Sequence, residues 1–200
     1  MLTDGSGQGS HSSGKGGVRG RHDRGDVLEF WFASGNEERW FKADPEFDRD
    51  IADRFAGLVG LARGGALTDW AATADGALAM CLLLDQFPRN IWRGTPGAFS
   101  CDERAREVAA AAILAGHDRA VAAPGRMFFY LPFEHSEDLA HQEHCLELMR
   151  GLDDPELLHW AQRHHAVIAQ FGRFPHRNAI LGRESTDAET EFLQQPGSSF

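Results

Sequence analysis

The longest apolar stretch of the chain, Ala77–Leu84, has no polar face, and a helix that is apolar all round belongs at the centre of a fold. Around it the apolar positions recur at helical spacing. Phe47, Ile51, Phe55, Leu58 and Ala62 follow one another at intervals of four, four, three and four, which is one stripe of a helix. Asp44-Pro45 supplies its cap and a proline at the first helical position, and Gly64-Gly65 ends it. Asp154-Pro155 repeats that opening ahead of Leu158, Ala161, His165, Ile168 and Ala169. Asp75 is expected to open the central helix. Ser100-Cys101-Asp102-Glu103 reads as a capping box for an alanine-rich helix running to Gly116. Ser136, followed by Glu137 and Asp138, reads as the start of a helix to about Arg150, and Thr186-Asp187-Ala188-Glu189 caps a last short one. Period-2 alternation is absent, as are hairpin turns between strands. The expected fold is all-α: one domain of about seven or eight helices, paired as antiparallel neighbours by short loops.

Composition sets the limits of that domain. Two hundred residues, 42% hydrophobic, suffice for one sizeable core. Residues 1–25 hold eight Gly and four Ser with almost no apolar side chains, so they are expected to form a disordered leader. The folded domain is expected over 26–195, with a flexible tail over 196–200. The leader carries Lys15, Arg19, Arg21 and Arg24 against Asp4 and Asp23, a net of +2, so the total of −10 leaves −12 for the rest. So acidic a body argues against a nucleic-acid footprint and against an anionic membrane surface. Its longest apolar run is too short to cross a bilayer. Cys81, Cys101 and Cys145 are odd in number and widely spaced, which suits a reducing, cytoplasmic setting rather than a disulfide framework.

One phrase occurs twice. Asp85-Gln86-Phe87-Pro88-Arg89-Asn90 is echoed about ninety residues later by Arg173-Phe174-Pro175-His176-Arg177-Asn178, with one His inserted. Proline lacks an N–H and biases its predecessor out of the α region, so each copy is expected to halt a helix and to set its polar residues at the edge of the core. A third polar cluster, Glu134-His135-Ser136-Glu137-Asp138, lies between them. Three such clusters suggest one pocket, with Asp85, Gln86, Arg89, Asn90, Asp138, Arg173, His176, Arg177 and Asn178 as ligand-binding residues. Guanidinium groups match anionic oxygens two at a time, so a small anionic ligand is expected. They could equally pair with the chain's own surplus carboxylates and lock helices together. Ser136 is accounted for as a cap. His135, flanked by carboxylates, is the candidate general base, with Glu134 or Glu137 orienting it.

Other chemistries find less support. His141 stands one turn from both Glu137 and Cys145, but no His-Glu-x-x-His is present and no metal is expected. No Gly-x-Ser-x-Gly elbow, glycine-rich phosphate loop or other cofactor motif is legible. Trp40, Phe41, Trp70 and Trp92 could instead anchor a partner protein.

Taken together, Phe30-Trp31-Phe32, Leu84 to Asn90, Leu131 to Asp138 with Gln142, and Phe171 to Asn178 with Leu181-Gly182-Arg183 resemble the bacterial family of unknown function numbered 924. The resemblance covers about Asp26 to Leu193. It implies a helical superhelix similar to tetratricopeptide folds, although no 34-residue repeat is readable. It implies no reaction.

Overall fold

The computed structural model describes residues 23–199. Among them the chain is helical with no strand, and nine helices result when the unbroken run from Ala74 to Ile91 counts as one. In order these are α1 (Arg24–Trp31), α2 (Pro45–Arg63), α3 (Ala74–Cys81), α4 (Phe87–Ile91) and α5 (Asp102–Leu114). The single turns α6 (His117–Ala120) and α7 (Leu131–Glu134) follow, then α8 (Leu139–Arg150), α9 (Pro155–Phe171) and α10 (Asp187–Leu193). The Asp23 side chain caps α1; the expected leader, up to residue 22, lies outside the described residues. In the segment expected as a tail, Arg163 Nη2 donates to the Gly197 carbonyl and Ser198 Oγ to that of Leu193.

Both Asp-Pro openings form as the sequence dictates. Asp44 accepts the N–H groups of Glu46 and Phe47, and Asp154 those of Glu156 and Leu157. Two expected caps do not form. Ser100 Oγ donates to the Gly97 carbonyl instead, and α5 starts after Cys101 without a side-chain cap. Helix α8 is capped by Asp138, and Ser136 belongs to the turn before it.

The central run corrects the expectation for its proline. The helix does not stop at Phe87-Pro88 but passes through it, by way of a π turn over Leu82–Gln86 between α3 and α4. A proline inside a helix removes one hydrogen bond and its ring meets the carbonyl four residues back, a cost of about 3 kcal/mol in a regular helix. Widening the preceding turn relieves that clash; the Phe87 N–H reaches five residues back, to the Leu82 carbonyl. Leu82 through Gln86 are all buried, so the widened turn carries Asp85 and Gln86 into the interior. Trp31, Phe55 and Phe87 anchor it from below, with Phe87 ring centroids 5.5 Å from Trp31 and 5.2 Å from Phe55.

Entry into this run is tight. A Cβ on Gly76 would lie 1.9 Å from the Trp70 carbonyl oxygen, a backbone atom with nowhere to go. Gly76→Ala is therefore expected to destabilise the fold by about 2 kcal/mol or more, as overpacking does, despite alanine's better helix propensity. Urea denaturation reads this directly; a neutral or stabilised variant would show that the junction yields.

Candidate functional site

The π turn places the first candidate. Asp85 is 1% exposed, and its carboxylate meets His135 Nδ1 at 2.8 and 3.0 Å. Arg89, one turn on, donates from Nη1 to the Asp85 carbonyl at 2.7 Å and lies 3.2 Å from Oδ1. The Gln86 amide closes the ring of partners. Burial alone would push Asp85 upward; the Arg89 guanidinium and His135 outweigh it and hold the carboxyl at about 2. With Nδ1 committed to a carboxylate, His135 has Nε2 left for chemistry. Burial and the charge of Arg89 lower its pKa, so the ring is neutral near pH 7.

The second candidate sits on the other side of the same space. Arg177 follows the one-turn 3₁₀ helix start at Pro175, after α9 has ended at Phe171 and turned through Gly172 at φ 67°. The two copies of the repeated phrase therefore differ in structure, one inside a helix and one beyond it. Their arginines still meet. Asp102, first residue of α5, accepts Arg89 at 2.9 and 3.1 Å, and Arg177 Nη1 stands 3.6 Å from it. Phe99 and Phe174 clamp the Arg177 guanidinium, with Cζ 4.5 and 4.4 Å from the ring centres. Arg177 Nη2 donates to the His135 carbonyl at 3.1 Å. Its Nε is buried with no hydrogen-bond partner.

These groups enclose a hollow of about 260 Å³. Its polar wall is Arg89, Arg93, Arg177, His135, His164 and His176, with Gln86 and Asn90; among the described residues not one carboxylate lines it. Trp40, Phe41, Phe99 and Ile180 form the apolar part. The carboxylates stand one layer back. Asp102 and Asp85 hold Arg89, and Asp48 holds Arg93 at 2.8 and 2.9 Å and accepts from Asn90 at 2.8 Å. Burial and the neighbouring His135 push His164 down to about 3; burial and Arg177 take His176 to about 4. All three imidazoles are thus neutral near pH 7, and Arg177 keeps its charge although burial and Arg89 lower it to about 10.

Glu134 stands behind His164, Oε1 lying 3.4 Å from Nδ1, which also donates to the Trp160 carbonyl at 2.9 Å. Burial, reinforced by the charge of Asp85, pushes Glu134 up to about 8. Two imidazoles of one space are thus backed by carboxyl groups in opposite protonation states: Asp85 ionised behind His135, and Glu134 protonated behind His164.

The remaining candidates are placed elsewhere. Glu137 does not orient His135; Arg183 holds it bidentately at 2.7 and 3.0 Å and the Phe174 N–H donates to it at 2.8 Å. The orienting carboxylate is Asp85. Asp138 accepts the N–H groups of Ala140 and His141 as a helix cap. Arg173 forks onto Glu189 at 2.6 and 2.7 Å, and Asn178 donates to Ser185 Oγ. For these four the internal ion pairs and caps account for the residue types. His141 pairs with Ser136 Oγ at 2.9 Å, and Cys145 is buried against the Tyr130 carbonyl. Of the aromatic anchors considered for a partner protein, Trp40 is buried and donates to the Trp31 carbonyl, Trp70 and Trp92 pack against the core, and Phe41 is 63% exposed. Sequence reasoning passed over Asp102 and His164. Asp102 was legible only as a helix-start acid, and no motif marks His164.

Comparison with known proteins adds a family and no reaction. The family model described as bacterial protein of unknown function (DUF924) matches residues 27–197. A solved structure, the protein of unknown function ATU0120 from Agrobacterium tumefaciens, is 43% identical with a TM-score of 0.83, the match covering 86% of this chain and 96% of that one. No curated protein matches. No helix among the described residues is long and apolar enough to cross a membrane. The chain belongs to the bacterial family of unknown function 924.

Proposed function

We propose that the hollow binds a small organic anion and carries acid–base chemistry on it. One observation supports this above the others: in a chain of net charge −10, the wall of this cavity holds three arginines and three histidines and no carboxylate. Arg89 and Arg93 already have bidentate carboxylate partners, so Arg177 is the cation to which an incoming anion falls. His135, oriented by Asp85, is the base. A bound anion beside it opposes the lowering of its pKa and moves the ring toward the range where a base works best. The proton that His135 takes up is the one it returns to the leaving group in a hydrolytic or lyase step.

The test is ligand-induced thermal stabilisation. A panel of carboxylates, phosphate monoesters and sulfonates is screened against the wild type and Arg177→Met. Methionine fills the slot between the two phenyl rings, and Asp102 keeps its fork with Arg89, so the variant is expected to remain cooperatively folded. A ligand at a hundredfold its Kd stabilises by about 2.7 kcal/mol. That gain is expected in the wild type and lost in the variant. Equal stabilisation of both proteins, or none of the wild type by any of the anions, would overturn the reading.

A further inference from the structure

Beside the first hollow lies a second, of about 330 Å³, and Trp40 and Phe41 line both. Its apolar lining includes Pro124, Met127, Leu152, Leu157 and Trp160, with Arg126, Asp154 and Glu156 as its charged members. The two large aromatics most exposed among the described residues, Phe41 at 63% and Trp160 at 40%, both border it. Exposed aromatic surface of this kind marks a binding surface more often than chance placement. Helix α9 joins the two spaces. Leu157 and Trp160 line the second and His164 the first, at spacings of three and four, so one face of this helix runs from the apolar side of the second hollow to the imidazoles.

We infer that the ligand is an amphiphilic monocarboxylate, its head at Arg177 and its apolar tail lying past Phe41 in the second hollow along Leu157 and Trp160. The inference rests on the anion-binding reading above and adds the substrate class. The single charge follows from the wall: two of its three guanidinium groups are forked onto carboxylates of the chain, and Arg177 alone among them has only a 3.6 Å contact to one. A dianionic phosphate would meet too little positive charge. Size sets the length of the tail. At about 30 Å³ per water-sized group, the first hollow takes roughly nine non-hydrogen atoms and the two together roughly twenty. A short acid is held by the first alone, whereas a chain of eight to twelve carbons reaches the second.

Calorimetric titration with butanoate, octanoate and dodecanoate, the last below its micellar concentration, separates the possibilities. Affinity is expected to rise steeply from butanoate to dodecanoate, by up to about fourfold for each methylene buried. Trp160→Ser is expected to cut dodecanoate affinity about tenfold and leave butanoate unchanged, since its backbone carbonyl still holds His164. Leu157→Asn supplies the same comparison if the first variant folds poorly. Affinity that is flat along the series, or unaffected by either variant, would refute the tail groove while leaving the anion site standing. Failure of all three acids, with phosphate esters binding, would refute the carboxylate head. If nothing anionic binds, both readings fall. An acetylated heptapeptide ending in Leu-Phe completes the set; tighter binding of the peptide than of dodecanoate would reassign the groove to a protein C-terminus.

Discussion

Asp85→Ala is expected to lower folding stability by about 3–5 kcal/mol, the usual cost of removing one member of a buried charged network. The carboxylate lies in the widened turn with no route to water, and it serves Arg89, Gln86 and His135 together. Alanine leaves the His135 Nδ1 proton and the Gln86 amide without that acceptor. Arg89 retains its fork with Asp102, so the loss is local to the turn and the imidazole. Against a total stability of roughly 5–15 kcal/mol this is a large fraction. Asp85→Asn keeps the shape and one acceptor oxygen, and is expected to cost closer to 1–2 kcal/mol. The pH dependence follows from the carboxyl being held at about 2: the stability it contributes is present above about 4 and is lost as pH falls toward 2. Equilibrium urea denaturation of both variants checks this. An alanine variant within 1 kcal/mol of the wild type would show that the three partners find acceptors elsewhere.

Most of the fold was readable because helices follow local rules. Asp44-Pro45 and Asp154-Pro155 cap as their chemistry requires, and the unbroken apolar run Ala77–Leu84 is the buried centre. The proline at 88 was misjudged. Proline opposes a regular helix, but tertiary burial of Phe87 among aromatic rings favours continuing the run, and a π turn reconciles the two. Nothing local announces that outcome, because the stabilising contacts come from α1 and α2. The unformed caps at Ser100 and Ser136 failed for a related reason. A hydroxyl offered two nearby partners takes whichever the loop geometry brings closer, and here these are the Gly97 carbonyl and the His141 ring.

The site was legible in its residue types and not in its pairings. That Arg89, His135 and Arg177 border one space follows from the recurrence of a polar phrase at the edges of apolar helices. Which carboxylate serves which cation does not, since Asp102, Asp48 and Glu189 lie 13, 45 and 16 residues from Arg89, Arg93 and Arg173. Spacing predicted Glu134 or Glu137 as the partner of His135, being adjacent in sequence. The helix start after Ser136 turns Glu137 toward Arg183, and the π turn delivers Asp85 from fifty residues away. The two readings offered for the arginines thus divide between residues: Arg173 and Arg183 lock helices, whereas Arg177 faces a cavity.

Folding stability is expected to peak near pH 6.5 and to fall on both sides, for opposite reasons. His164 and His176 titrate at about 3 and 4 in the folded protein against an ordinary value of 6.5. Below 6.5 the unfolded chain takes up two protons that the folded one refuses, and stability declines with acid. Glu134 works the other way. Its carboxyl ionises near 4.5 when unfolded and near 8 when folded, so across that interval folding must capture a proton and stability falls as pH rises. Between 4.5 and 6.5 His164 and His176 outweigh the one carboxyl by one proton, a slope of about 1.4 kcal/mol per pH unit upward, and His135, lowered too, adds to the same slope. Above 6.5 Glu134 takes over as the unfolded histidines finish losing their protons, and about 1 kcal/mol is lost by pH 8. Glu134→Gln removes the alkaline limb and steepens the acid one, because glutamine is neutral at every pH and nearly isosteric. Urea midpoints at pH 5, 6.5 and 8 are expected to give a dome for the wild type and a rise to a plateau for the variant. Wild-type stability that keeps climbing from 6.5 to 8 would mean that Glu134 is ionised in the folded protein, and the proton assigned to the His164 side of the hollow would not be there.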